Sequence, residues 1–133
     1  MIEYDQTPDV QFYLCRQCRA HMALTQDYVI TDIMIEAGIF RNAVNVHVED
    51  DPTRYRMDGH RTVANVYCER CRTVLGWKFV EVPDETILVK PGRFLLYLNK
   101  LLLWDGSQIL EADNRDPVEN ATSGSGEDSN NDT

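Results

Sequence analysis

No apolar run in this chain is long enough to cross a bilayer as a helix. The greasiest stretch, "FLLYLNKLLLW", is short and is broken by Asn99 and Lys100. No glycine-rich phosphate loop is present, and no serine stands in a nucleophile-elbow pattern. Histidine is scarce: His21, His47 and His60 share no spacing that would join them into a metal triad. Cysteine is limited to four residues, all used in two close pairs, so none is left over as a nucleophile. A basic excess is missing as well, since 13 Lys and Arg face 22 Asp and Glu for a formal net charge of −9. The sequence therefore offers no catalytic constellation, no membrane-spanning helix and no phosphate-attracting field. The opening "MIEYDQTPDV" is acidic and holds no basic region followed by an apolar stretch. The expected setting is therefore a reducing one, nucleus or cytoplasm.

The acidity is unevenly placed. Residues 105–133 hold eight acidic side chains and a single base, Arg115, a net of −7. The stretch "ADNRDPVENATSGSGEDSNNDT" has no aromatic residue and is rich in Asp, Asn, Ser and Gly. Such a composition buries too little apolar surface to offset the entropy of ordering. The expected organisation is one β domain over 10–104 followed by an acidic disordered tail over 105–133. Asn120 and Asn131 match the N-glycosylation pattern, which carries weight only for a secreted chain.

The domain reads mainly as strands. "VNVHV" (44–48) alternates valines with Asn45 and His47, and "TVANVY" (62–67) is β-rich. In "LGWKFVEV" (75–82), Leu75, Trp77 and Phe79 are expected on a shared face. "RFLLYL" (93–98) follows the Pro91-Gly92 turn signal, and "NKLLLW" after it fits either a short strand or a helical turn. "DDPTRYRMDGH" (50–60) reads as a polar connection. "TQDYVITDIMIEAGIF" fits neither a helical nor a strand period cleanly.

The chemistry lies in Cys15-x2-Cys18 and, 49 residues later, Cys68-x2-Cys71. A two-residue gap lets one tight turn present both sulfurs, and two such knuckles supply the four thiolates that Zn²⁺ takes in a tetrahedron. Two rivals stand against this. A redox dithiol usually needs a thiol lowered by a helix N-terminus, and these pairs sit among strands. Disulfides require an oxidising compartment. A zinc ion held by four cysteines has no open coordination position, so its role is to clamp distant segments rather than to activate water. Arg16, Arg19, Arg70 and Arg72 occupy matching places beside or between the cysteines. They either offset the formal −2 of the loaded site or are simply solvated. His21, three residues past Cys18, reads as a structural or surface residue, His47 sits on a polar strand face and His60 in a loop.

Taken in order, the two knuckles, "FRNAVNV" between them, "RTVANVYC" before the second, "LGWKF" after it and "KPGRFLL" at the end resemble the Yippee family. The resemblance runs from about Tyr13 to Leu96 and implies a mostly β fold. In that fold, the β-tent, two antiparallel sheets meet at an angle and are clamped by one zinc with four cysteine ligands. The same group includes the ligand-binding domain of cereblon and the Mis18 kinetochore proteins, with the B-type methionine sulfoxide reductases more distant. Cys15, Cys18, Cys68 and Cys71 match the family's zinc ligands. Trp77 and Phe79 match positions that form part of an aromatic cage for a cyclic imide in cereblon. Arg61 stands where Yippee sequences usually carry histidine and cereblon a tryptophan, and Asn65 replaces an aspartate. The reductase activity is not implied, because its catalytic cysteine is missing.

The expectation is thus a non-catalytic zinc-binding interaction module. The resemblance suggests adaptor roles in ubiquitin-ligase assemblies or in cell division, with protein partners, among them ubiquitin-ligase subunits. It also admits a homodimer, as in Mis18. The alternative is a sensor in which Trp77 and Phe79 stack on a small planar ligand or modified residue and Arg61 pairs with its polar edge. Against that stands the ordinary fate of a strand tryptophan, core packing. A zinc-ribbon nucleic-acid binder is opposed by the charge, and nothing points to a membrane.

Overall fold

The computed structural model describes residues 1–118; the remainder of the acidic stretch, with Asn120 and Asn131, lies outside the described residues. The first antiparallel sheet is built from β1 (Phe12–Cys15), β2 (His21–Leu24), β10 (Leu101–Trp104) and β11 (Ile109–Glu111), in the order β11-β10-β1-β2. The second holds β3 (Tyr28–Asp32), β4 (Ala37–Phe40), β5 (Val46–Val48), β6 (Arg56–Asp58), β7 (Arg61–Cys68), β8 (Val74–Glu81) and β9 (Phe94–Tyr97). Its order is β3-β4-β9-β8-β7-β5, with β6 also paired to β7. Every pairing is antiparallel. No helix among the described residues is long and apolar enough to cross a membrane.

The principal core lies between the sheets. Tyr13, Met22, Leu101 and Leu103 of the first meet Phe40, Val66, Leu75, Phe94 and Leu96 of the second. The alternating side chains of β1 then place Phe12 and Leu14 on the opposite face, covered by Tyr4, Val10 and Trp104. The other face of the second sheet carries a separate cluster of Trp77, Phe79, Val63, Ile39 and Leu95.

Leu75 therefore does not share a face with Trp77 and Phe79, contrary to the strand period. The cause is a bulge: Val66 pairs with Gly76 but Tyr67 pairs with Val74, so Leu75 is an extra residue on β8. Gly76, at φ 155°, sits at that irregularity. Beyond it the alternation resumes on the other face.

Other segments that the pattern left open are resolved by local geometry. "NKLLLW" combines both readings, a 3-10 turn over Leu98–Lys100 followed by β10, and the turn carries the chain from one sheet to the other. "TQDYVITDIMIEAGIF" is the β3–β4 hairpin. A register shift between Tyr28 and Ile30 breaks its alternation, and exposed apolar residues at its tip obscure the rest. The polar connection contains β6, which pairs Arg56 with Val63 and Asp58 with Arg61. Asn45 adopts a left-handed φ of 58°, so the strand after it begins only at Val46.

The boundary drawn at residue 104 falls between two paired strands. Leu103 pairs with Leu110 and Trp104 with Ile109, and Leu110 and Ala112 are buried. The start of the acidic segment is thus folded, because three apolar positions in "ILEA" suffice to extend an existing sheet edge. At the other end, residues before Val10 are held too. Asn45 accepts from Ile2 N–H and donates to the Ile2 and His21 carbonyls. Trp104 Nε1 donates to the Thr7 carbonyl at 3.0 Å.

His21 anchors this N-terminal strap. Its Nδ1 accepts the Tyr4 N–H at 2.8 Å, and its ring stacks on Tyr4 at 5.8 Å. Burial holds His21 below the ordinary imidazole value. The neutral form is therefore favoured in the fold, so this contribution is complete above pH ~6.5 and is lost as pH falls below it. Protection of the Tyr4 amide, corrected for intrinsic exchange, should drop between pH 7.5 and 5.5. Protection that stays constant over that range contradicts the anchoring role.

Candidate metal centre

Both cysteine pairs occupy hairpin turns, and the two turns are built alike. In the β1–β2 turn, Cys15 N–H donates to the Ala20 carbonyl and Arg19 N–H to the Cys15 carbonyl, each at 2.8 Å. In the β7–β8 turn, Cys68 N–H donates to Thr73 at 2.8 Å and Arg72 N–H to Cys68 at 2.9 Å. Arg19 and Arg72 close the turns in the left-handed region, at φ 65° and 64°. That conformation costs a residue other than glycine about 1–2 kcal/mol. Arginine at both positions accepts this cost where glycine would not, and it keeps a positive charge beside each pair.

The turns bring all four sulfurs within 4.8 Å of one another. The short contacts cross between hairpins: Cys15 Sγ to Cys71 Sγ is 3.6 Å and Cys18 Sγ to Cys68 Sγ is 3.5 Å. A disulfide has sulfurs about 2.05 Å apart, so these cysteines are not bonded to each other. A tetrahedron with Zn–S of about 2.3 Å has edges of about 3.8 Å, which this cluster fits. Cys15 and Cys68 are buried, Cys18 and Cys71 partly so.

The electrostatics point the same way. Burial pushes the Cys15 thiol up to about 12 and raises that of Cys68. Burial also raises Cys71, but hydrogen bonds from Thr73 and the neighbouring thiols outweigh it and bring that group to about 6. Four thiolates this close need a cation to be stable, and a divalent ion supplies it. The cluster is consistent with one structural zinc, held by four ligands with no position left for water. Its chemistry is that of a clamp: Cys15 ends a strand of the first sheet and Cys68 a strand of the second.

Outer contacts fix the ligands. Thr73 Oγ1 lies 3.1 Å from Cys71 Sγ, where its hydroxyl can donate to a thiolate. Arg70 Nη1 donates to the Cys18 carbonyl at 3.3 Å, tying the second knuckle to the first. Arg16 donates through Nε to the Asn99 carbonyl at 2.9 Å and through Nη2 to Glu111. These arginines have structural partners as well as a favourable charge. Thr73→Val removes the hydroxyl and keeps the shape, so zinc affinity should fall about tenfold or more. A chelator-competition titration checks this; equal affinities would remove Thr73 from the site.

The aromatic residues form a different place. Trp77 is 8% exposed and packs among Ala37, Ile39, Val63 and Leu95. Phe79 and Tyr97 meet it edge-on, with ring centroids at 6.4 and 6.1 Å. Arg61 does not reach the indole. It pairs with both Asp84 carboxylate oxygens, at 3.2 and 2.9 Å, and its guanidinium lies over Phe79 at 5.9 Å. The cation over Trp77 is Arg56, at 5.5 Å. Sequence reading missed Arg56 and Tyr97; Arg56 reaches Trp77 only through the pairing of β6 with β7, which no sequence signal marks. Trp77 Nε1 is buried without an acceptor among the described residues. His47 lies beside Tyr67, with ring centroids 6.3 Å apart.

Comparison with known proteins places these features in context. Residues 11–112 match the family model described as Yippee zinc-binding/DNA-binding/Mis18, centromere assembly. A yippee-like protein of Arabidopsis thaliana is 33% identical over 93 residues, covering 68% of this chain and 73% of the relative. Yippee-like 3 of Homo sapiens is 31% identical over 97 residues, covering 71% and 82%. Among solved structures, the Mis18 "Yippee-like" domain superposes with a TM-score of 0.62 at 19% identity, covering 71% of this chain and 94% of that domain.

Proposed function

Because the chain belongs to the Yippee–Mis18 family, we propose that it is a non-catalytic docking module whose zinc holds two sheets in one rigid surface for a protein partner. The observation that carries this is the closed donor set: four sulfurs within 4.8 Å leave the metal no site for substrate or water. Among the described residues outside the cluster, no hydroxyl or thiol is hydrogen-bonded to a histidine. The reading extends to an adaptor role in a larger assembly, of the ubiquitin-ligase or cell-division kind; the centromere assembly named in the family description supports the second. The nucleus or cytoplasm is the matching setting, since free thiols persist there. The described residues 1–118 hold 18 acids against 13 bases, a net of −5, so a protein rather than a duplex is the partner. The unit that docks is the β domain extended through β11. A homodimer remains within this reading.

The test is co-purification of the zinc-loaded full chain with its partner, against the same chain ended at Val118. A partner should co-elute in fixed stoichiometry with both. A chain that elutes alone, or one that turns over a substrate, overturns the docking reading.

One observation favours a second reading, a sensor of a small planar ligand or modified residue. Trp77 Nε1 is a buried donor with no acceptor among the described residues, which a carbonyl of a bound ligand would satisfy. Trp77, Phe79 and the cations Arg56 and Arg61 would then form its walls. Titrating tryptophan fluorescence with cyclic imides and nucleobase-like compounds tests it. A response abolished in Trp77→Phe supports the sensor, and an unchanged spectrum throughout removes it.

A further inference from the structure

Trp77 stands on the outer face of the second sheet, yet its indole is only 8% exposed, and a guanidinium of the chain itself lies over its ring. Arg56 holds its Cζ 5.5 Å from the ring centroid and donates from Nε to the Asn65 side-chain oxygen at 2.8 Å. Asn65 pairs opposite Trp77 on β7, so ring and acceptor stand side by side. Phe79 and Tyr97 meet the indole edge-on. An aromatic face with an acceptor beside it is what a guanidinium engages, through its plane and through its fork of donors.

Arg56 is held more lightly than its neighbour. Arg61, over Phe79 at 5.9 Å, is fixed by both carboxylate oxygens of Asp84. Arg56 makes no ion pair among the described residues, and its side-chain hydrogen bond is to a neutral amide. Its strand, β6, is three residues long, exposed throughout and paired with β7 alone. A strand with so few buried contacts opens locally at low cost.

From these contacts we propose that Arg56 is a built-in occupant of a guanidinium site, and that an arginine side chain of a protein partner takes its place over Trp77. This rests on the sensor reading above and names the group sensed. Arg56 shows what the face accepts, and an incoming arginine reproduces both the ring contact and the bond to Asn65. A lysine ammonium has no plane to stack, and a neutral ligand gains nothing from the electrostatics of the ring. Trp77 Nε1, without an acceptor among the described residues, gains one from a main-chain carbonyl beside the arriving arginine. Net charge does not choose the ligand, since the acids on this side, Asp32, Asp58 and Asp84 among them, stand with Arg61, Lys90 and Arg93. The gate is the movement of β6: the apparent affinity falls with the fraction of time that Arg56 covers the ring.

The probe is a capped pentapeptide with one arginine between glycines, titrated into the isotope-labelled, zinc-loaded full chain while the Trp77 indole N–H resonance is followed. Loss of that resonance in Trp77→Phe assigns it. Arg56→Ala, at an exposed position outside the core, should bind the peptide at least fivefold tighter than wild type, with zinc content unchanged. In that variant, peptides carrying citrulline or lysine in place of arginine should bind at least fivefold more weakly. Arg56→Gln keeps the reach and loses the charge; it should match Arg56→Ala and takes its place if the alanine variant loses zinc. No binding by the variants, equal binding of the three peptides, or equal affinity of wild type and variant overturns the proposal. If cyclic imides or nucleobase-like compounds move the resonance in wild type while the arginine peptide leaves the variants unmoved, the sensor stands and this occupant does not. Silence with every compound removes both.

Discussion

Replacing Cys68 with serine is expected to unfold the chain, not merely to loosen one side chain. Cys68 is fully buried, ends β7 and packs in the core between the sheets. As a small buried side chain it would contribute only about 1 kcal/mol. As a zinc ligand it shares in about 10–16 kcal/mol of apparent metal-binding energy, which is as large as the whole stability of a typical domain, about 5–15 kcal/mol. A serine hydroxyl remains protonated at neutral pH and cannot replace the thiolate. Circular dichroism of the variant should show loss of the β signal and of any cooperative thermal transition, with zinc far below one per chain. A variant that melts within a few degrees of wild type would show that the core alone suffices.

Gly76→Ala should produce the next largest effect. A Cβ built on Gly76 would lie 1.9 Å from the Leu95 carbonyl oxygen and 2.9 Å from its carbonyl carbon. The clash is with backbone, on a strand paired in register with β8, so no side-chain rotation relieves it. The φ of 155° adds strain for any residue with a Cβ. Either β8 and β9 separate or the bulge at Leu75 rearranges, and the second option would turn Trp77 and Phe79 out of their cluster. The expected cost is about 3 kcal/mol or more, a fall in Tm of about 10 °C or more. Gly76 lies three residues past Thr73, whose hydroxyl meets Cys71, so zinc should also be held less tightly. A Tm unchanged within 2 °C would mean that the strands approach less closely than described.

The same glycine marks where sequence reading ended. The cysteine pairs were legible because a zinc knuckle is local chemistry: ligand type, a two-residue gap and a tight turn are all written within four residues. Their convergence across 49 residues followed from the metal's need for four donors, and the sulfurs do come together. The division of Leu75 from Trp77 was not legible, since the bulge depends on how β7 and β9 meet β8. The same holds for Arg56 over Trp77, which exists only because β6 folds back onto β7. Strand β11 escaped notice because "ILE" in an acidic stretch has too few apolar positions to show a period. The edge of β10 supplies the template that its own sequence does not. The β3–β4 hairpin was obscured for the opposite reason. Its tip carries apolar residues that are not buried, which corrupts a pattern read on the assumption that apolar means inside.

The central claim is that one metal ion joins the two sheets into a single rigid surface. It is tested most directly by elemental analysis of the purified chain together with far-ultraviolet circular dichroism during chelator titration and zinc re-addition. One zinc per chain, cooperative loss of the β signal as zinc is withdrawn and its return on re-addition are expected. A chain that keeps its native spectrum and Tm after its last zinc has been removed would contradict the clamp, and with it the docking surface built on it.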